Sequence, residues 1–269
     1  MISLLRLGKR IYPRLVLSFG FVYFGLNGLI CTLVSTPLYA LLPRRLGAWL
    51  GRNMIGWQFR SYLAMLKATG IIRLDLGALD SLQGERGLLL APNHPSLLDA
   101  VLIISRLPAM TCIMKAKIWD NPFLGAGARL AGYIRNDSPG KMVRVATAEL
   151  RAGHQLLVFP ESTRSRDGCL NPFKGGFALI ARNAGAQVQT VFIETNSGFL
   201  GKGWPLLKMP DLPLYYGVRL GRRFRVEGDI KTFVSDLEAY YREELERPPT
   251  LGIASSVEQP DPAVPGHAR

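Results

Sequence analysis

The chain has 269 residues, enough for one sizeable domain with attachments rather than a string of domains. Lys and Arg number 33 against 20 Asp and Glu, a formal charge of +13 that calls for an anionic partner such as a membrane surface, a nucleic acid or a phosphorylated substrate. No nucleic-acid-binding module is legible, and the three cysteines, Cys31, Cys112 and Cys169, form neither a disulfide framework nor a zinc pattern.

The amino-terminal region is the first predicted element. No charged residue falls between Arg14 and Arg44, and about 20 apolar helical residues cross the hydrocarbon core of a bilayer. Leu15–Thr36 is therefore long enough to span, although Gly20, Gly25, Asn27, Gly28 and Pro37 weaken that reading. Arg6, Lys9, Arg10 and Arg14 precede the segment, and Arg44, Arg45 and Arg52 follow it. Basic residues favour the cytoplasmic side, and one crossing cannot keep both flanks there. A re-entrant or interfacial helical pair can, and it is preferred to a true span; no signal-peptide cleavage pattern stands out near Leu38-Tyr39-Ala40. Trp49, Trp57, Phe59 and Tyr62, with Arg52 and Arg60, suit either a headgroup interface or an amphipathic helix packed on the domain.

Leu88–Ala91 reads as a short buried strand. It runs into Asn93-His94-Pro95-Ser96-Leu97-Leu98-Asp99. Pro95 suits a first helical position and Asn93 and Ser96 suit a helix entry, so the spacing predicts His94 in the turn and Asp99 about one turn inside the helix. Imidazole titrates unaided near neutral pH, and a carboxylate on one ring nitrogen leaves the other free as a base. This is a base and its orienting acid without a serine nucleophile, so the attacking hydroxyl can belong to the substrate. The same spacing also fits a surface histidine beside a capping aspartate.

Lys115-Ala116-Lys117 follows at a predicted strand end, and Gly132-Tyr133-Ile134-Arg135 reads as a short strand ending in a cation. Each reads more simply as solvated charge than as a ligand. Val143–Leu150 is a predicted helix leading to the strand before Phe159-Pro160-Glu161-Ser162-Thr163-Arg164-Ser165, a second strand–proline–polar-turn layout. Its guanidinium, hydroxyls and turn amides suit a phosphate, and equally a polar turn. Lys174-Gly175-Gly176 adds a cation and room for close backbone approach. Cys169 is read as a bystander and His154 as a helix-end cap. A helix is predicted over 177–183, a proline-rich loop over 201–214 whose apolar residues cover a lipid tunnel or touch lipid, a strand at 224–226 and an amphipathic helix over 231–246. The proline-bearing remainder, 247–269, is expected to be disordered. Alternating strands and helices predict an α/β domain with a largely parallel sheet. The division is an amino-terminal membrane-associated helical region (1–65), an α/β domain (66–246) and the tail (247–269).

Taken in order, these stretches resemble the glycerolipid acyltransferase family, whose best-known members are 1-acyl-sn-glycerol-3-phosphate acyltransferases. The family's first motif, His-x4-Asp, matches His94 and Asp99. Its second matches Gly132–Arg135, and its third, Phe-Pro-Glu-Gly-Thr-Arg-Ser, matches Phe159–Ser165 with Ser162 replacing the glycine. The fourth is loosely matched by Val188–Ile193, with Thr190 where a proline is expected. The resemblance covers roughly 85–230. It implies a mixed, largely parallel sheet flanked by helices with an amino-terminal helical anchor, and His94 and Asp99 as the catalytic pair. It puts Arg135, Glu161, Ser162, Thr163, Arg164 and Lys174 on the acceptor side. It also implies acyl transfer from acyl-CoA or acyl carrier protein to 1-acyl-sn-glycerol-3-phosphate at the cytoplasmic face of the inner membrane, with membrane lipids as partners, no metal, and no cofactor beyond the thioester co-substrate. Ser162 and Thr190 leave open another acceptor, an ornithine-type lyso-lipid or an aryl-polyene-type product. A non-catalytic lipid-binding homologue is the remaining alternative.

Overall fold

The computed structural model describes residues 2–166, 169–205 and 208–247, with side chains from Ile11 onward. Of the tail 247–269 expected to be disordered, 248–269 lies outside the described residues. Two long helices come first, α1 (Ile2–Leu41) and α2 (Arg44–Ala68), joined by a short turn at Pro43. After them come β1 (Ile72–Asp75), a 3-10 turn at Gly77–Leu82, β2 (Leu89–Pro92), α3 (Asp99–Arg106) and β3 (Thr111–Met114). Next are α4 (Ala116–Trp119), α5 (Gly125–Leu130), β4 (Ile134–Arg135), α6 (Pro139–Arg151) and β5 (Leu156–Leu157). The last elements are α7 (Gly176–Ala184), β6 (Val188–Thr195), β7 (Leu214–Phe224) and α8 (Ile230–Glu246).

The seven strands form one sheet in the order β1-β7-β6-β2-β5-β3-β4. Every pairing is parallel except β6 with β7. The central strands are apolar without alternation because helices cover both faces. Successive side chains then enter different cores. Leu88, Leu90 and Leu157 join the core that also holds α3 and the α1–α2 pair, whereas Leu89, Ala91 and Leu156 join the core under α6, α7 and α8. The α/β, largely parallel sheet expected from the sequence is the observed one.

The amino-terminal pair packs against this domain: Val16 and Leu17 of α1 and Ile55, Leu63 and Leu66 of α2 are buried in the first core. Small residues make the approach close. A Cβ on Gly28 would stand 2.8 Å from the Phe123 carbonyl oxygen, and one on Gly51 would stand 2.5 Å from the Ala131 nitrogen. The opposite side of α1 exposes Leu15, Phe19, Val22, Leu26, Ile30 and Leu33 at helical spacing. Ile11–Leu41 is long and apolar enough to cross a membrane, so α1 is a candidate anchor. The aromatic-basic stretch divides. Trp49 and Trp57 are exposed, whereas Tyr62 is buried, and Arg52 is buried with bonds to the Ala131 and Ala109 carbonyls and to Glu149.

Three sequence expectations are corrected. α3 begins at Asp99, not at Pro95, because residues 94–98 are wound into a turn on the Asp99 carboxylate, which accepts the Ser96 N–H at 2.8 Å. The strand expected at 224–226 overlaps only the last residue of the 11-residue β7, and Arg225 and Val226 lie beyond it. Within β7, Arg219 pairs with Glu194 and Glu244 and Arg223 with Glu85, so carboxylates from other segments neutralise these two arginines. The apolar residues Trp204, Met209 and Leu212 pack against the first core instead of lining the large cavity described below.

Candidate active site

His94 and Asp99 meet. The imidazole Nδ1 lies 2.7 Å from Asp99 Oδ2, and the ring stacks on Phe159 at 3.9 Å between centroids. The other ring nitrogen, Nε2, has no hydrogen-bond partner among the described residues. Asp99 is fully buried. Burial pushes its carboxyl up to about 6, against the pull of the His94 ring and the Ser96 N–H. Its Oδ1 has no partner among the described residues.

The turn that carries His94 is gripped from several sides. Asn93 closes a pair of bonds to the Ile193 backbone at 3.0 and 2.7 Å. Ser96 donates its hydroxyl to the Phe199 carbonyl. The His94 amide donates to Glu161 Oε1 at 2.8 Å, and the Ser165 amide donates to the His94 carbonyl at 2.7 Å. Glu161 is almost wholly buried and also accepts from the Ser165 hydroxyl and from both the backbone and the side-chain amide of Asn171. It is a brace for the histidine turn and not a group facing a ligand.

The remaining sequence-predicted residues separate into two sets. His94, Ser162, Arg164 and Lys174 line one cavity of about 780 Å³. Arg164 donates through Nη1 to the Leu200 and Gly201 carbonyls, both at 2.8 Å, which leaves Nε and Nη2 for a ligand. Those bonds also hold Leu200, which sits at φ 56 in the left-handed region. Ser162 has φ 57, the conformation for which glycine is favoured. Arg135 does not line the cavity; Asp120 and Asp137 neutralise it at 3.0 and 2.6 Å. Thr163 is half-buried away from the cavity wall. Thr190 also lies away from it, donating its hydroxyl to the Arg222 carbonyl where the β6–β7 register shifts.

Lys115, read from sequence as solvated charge, stands on the cavity wall at the start of α4. Phe159 and Asn171 were also missed as site residues. Their signal was adjacency to the second polar turn, which does not say what they touch. From the His94 turn the cavity extends over apolar side chains of α3 and β3 to Phe21 and Phe24 of α1 and Ile55 and Phe59 of α2. An imidazole with one free nitrogen, three cations and an apolar cavity suit an amphiphile with an anionic head.

Comparison with known proteins agrees. The family profile described as Acyltransferase matches residues 73–194. A 1-acyl-sn-glycerol-3-phosphate acyltransferase of Cocos nucifera is 39% identical over 97 residues, 33% of this chain and 31% of that protein. A lyso-ornithine lipid O-acyltransferase of Pseudomonas aeruginosa is 32% identical over 106 residues, 38% of this chain and 41% of that protein. The chain thus matches less than half the length of either relative. The crystal structure of the 1-acyl-sn-glycerophosphate acyltransferase PlsC of Thermotoga maritima has the same fold, with a TM-score of 0.60 at 20% identity over 88% of this chain and 97% of that one.

Proposed function

We propose that the chain is an acyltransferase of the family whose profile matches residues 73–194, and that it moves a fatty acyl group from a thioester to the free hydroxyl of 1-acyl-sn-glycerol-3-phosphate, giving phosphatidic acid. The observation that carries the reading is the buried Asp99 holding His94 by one nitrogen on the wall of a largely apolar cavity that Arg164, Lys174 and Lys115 also line. His94 Nε2 takes the proton of the acceptor hydroxyl as that oxygen attacks the thioester carbonyl. Asp99 keeps the tautomer and balances the imidazolium. The tetrahedral adduct then collapses, the C–S bond breaks, and the departing thiolate receives the proton from His94. The cations hold the acceptor phosphate, and the cavity holds acyl chain.

The donor is acyl-CoA or acyl carrier protein, no cofactor beyond it is required, and α1 with the exposed Trp49 and Trp57 seats the enzyme at the cytoplasmic face of a membrane. A second reading keeps the chemistry and exchanges the acceptor for a lyso-ornithine lipid; the Pseudomonas relative and Ser162 favour it. One preparation assayed with lysophosphatidate and lyso-ornithine lipid decides between them. The first reading expects lysophosphatidate to be the better acceptor by at least tenfold in kcat/KM. It also expects Arg164→Ala to raise KM for that acceptor by roughly tenfold, as loss of one charge-assisted hydrogen bond does. An unchanged KM in the variant, or preference for the ornithine lipid, rejects phosphate recognition.

A further inference from the structure

Apart from the groups assigned to acyl transfer, the cavity wall carries further polar side chains, Gln58, Tyr62, Tyr133 and Asn136 among them. Gln58 and Tyr133 both line it and both are only 5% exposed. Gln58 Nε2 and the Tyr133 hydroxyl have no hydrogen-bond partner among the described residues. A hydrocarbon chain offers neither group an acceptor, and a buried donor left unpaired is unfavourable.

Their positions follow from α2. Ile55, Gln58 and Tyr62 share one face of that helix at i, i+3 and i+7. Tyr62 stands beside Tyr216, whose hydroxyl bonds Ser96 in the catalytic turn. Ile55 lies at the other end, against Gly127, which Cys31 also approaches. Gln58 is therefore about 6 Å along the helix from the catalytic end. Tyr133 lies deeper still, beside Cys31 and Cys112, and burial keeps its phenol protonated and able to donate.

We propose that the cavity is built for an oxygenated acyl chain, one carrying a hydroxyl or keto oxygen part-way along its length, with Gln58 and Tyr133 as the donors that recognise that oxygen. The inference rests on the reading that the cavity holds the acyl chain. A plain chain fits the same space and leaves both donors unpaired. The oxygenated chain exchanges water for Gln58 or Tyr133 without that loss, which is a discrimination of about tenfold or more.

The test is a series of acyl thioesters of one length, either plain or carrying a single hydroxyl scanned along the chain, offered to the full chain in detergent. At one or more positions the hydroxylated donor is expected to exceed the plain one by about tenfold in kcat/KM. Tyr133→Phe removes only the phenolic oxygen, and Gln58→Leu removes the amide; each is expected to bring that ratio towards one. The proposal is overturned if the plain chain is the best donor at every position, as when ordered water satisfies both groups, or if the preference survives in both variants. Displacement of a fluorescent fatty acid by free hydroxylated and plain fatty acids reads the same ratio without turnover. A tenfold binding preference in a chain that transfers no acyl group would support the oxygen site while rejecting the transferase reading.

Discussion

Two turns of this molecule share a layout and differ in what they leave unpaired. One follows β2 and carries His94; the other follows β5, its parallel neighbour, and carries Glu161. Both leave a buried apolar strand, pass a proline and end in polar residues. In the first, His94 Nε2 and Asp99 Oδ1 have no partner among the described residues. In the second, Glu161 is saturated by His94, Ser165 and Asn171. Unspent hydrogen-bonding capacity marks the His94–Asp99 pair as the one able to do chemistry, and the full satisfaction of Glu161 marks that residue as the brace that holds it still.

Removing the reactive group is the harshest test of that contrast. His94→Ala is expected to lower kcat by about 10²- to 10⁴-fold or more, together with a fall in melting temperature because the buried Asp99 carboxyl loses its ring partner. Wild-type turnover in that variant would move the chemistry elsewhere. Asp99→Asn is the next largest in rate, since the imidazole loses the carboxylate that fixes its tautomer. It also separates function from stability. The Asp99 carboxyl stands at about 6 against an ordinary 3.8, so the folded state binds that proton more tightly than the unfolded chain. Ionised Asp99 therefore weakens the fold above about pH 6, and the penalty fades as pH falls towards 3.8. The asparagine variant should melt higher than wild type at pH 8, with the gain disappearing near pH 4. Wild-type activity should fall as pH drops through about 6, where Asp99 takes up its proton. A melting gain independent of pH would mean the carboxyl is not raised.

The bracing turn is expected to behave in the opposite way. Glu161→Ala strips the acceptor from several donors at once, a loss of about 3 kcal/mol, read as a melting fall of roughly 6–12 °C. Glu161→Gln keeps one carbonyl oxygen and should lose less. If the alanine variant melts like wild type but stops turning over, Glu161 contacts substrate and the division of labour between the turns is wrong.

Sequence reasoning reached the contents of each turn better than their partners. His94 and Asp99 were legible because an apolar run, a proline and a polar pair sit within a dozen residues. The grip on that turn was not, because Phe199, Leu200 and Ile193 lie about a hundred residues further along and meet it only when β6 docks on β2. Arg164 was legible as a cation, but its duty to the Leu200 carbonyl was hidden for the same reason. Arg135 and Lys115 exchanged roles. The carboxylates that neutralise Arg135 are in plain view at Asp120 and Asp137, whereas nothing near Lys115 indicates that the end of β3 points it into the cavity. The parallel sheet followed from alternation of elements, yet the strand expected at 224–226 touched only the end of β7, because the carboxylates that pair its arginines, Glu194, Glu244 and Glu85, come from other segments.

The smallest expected effect concerns Ser162, the one departure from the third motif. Its φ of 57 holds an L-residue in left-handed backbone, at about 1–2 kcal/mol relative to glycine. Ser162→Gly should relieve that strain. Glycine also has more freedom to lose on folding, about 0.5–1 kcal/mol, so the net gain is about 1 kcal/mol or less, a rise of roughly 2–4 °C in Tm. Because Ser162 also lines the cavity, the kinetic outcome carries the argument. If the second turn is scaffold, the glycine variant turns over within a few-fold of wild type on the same acceptor. A loss beyond tenfold would mean that the hydroxyl touches substrate. Serine would then be retained at a strained position for recognition, and the second turn would share in the chemistry that the comparison gives to the first alone.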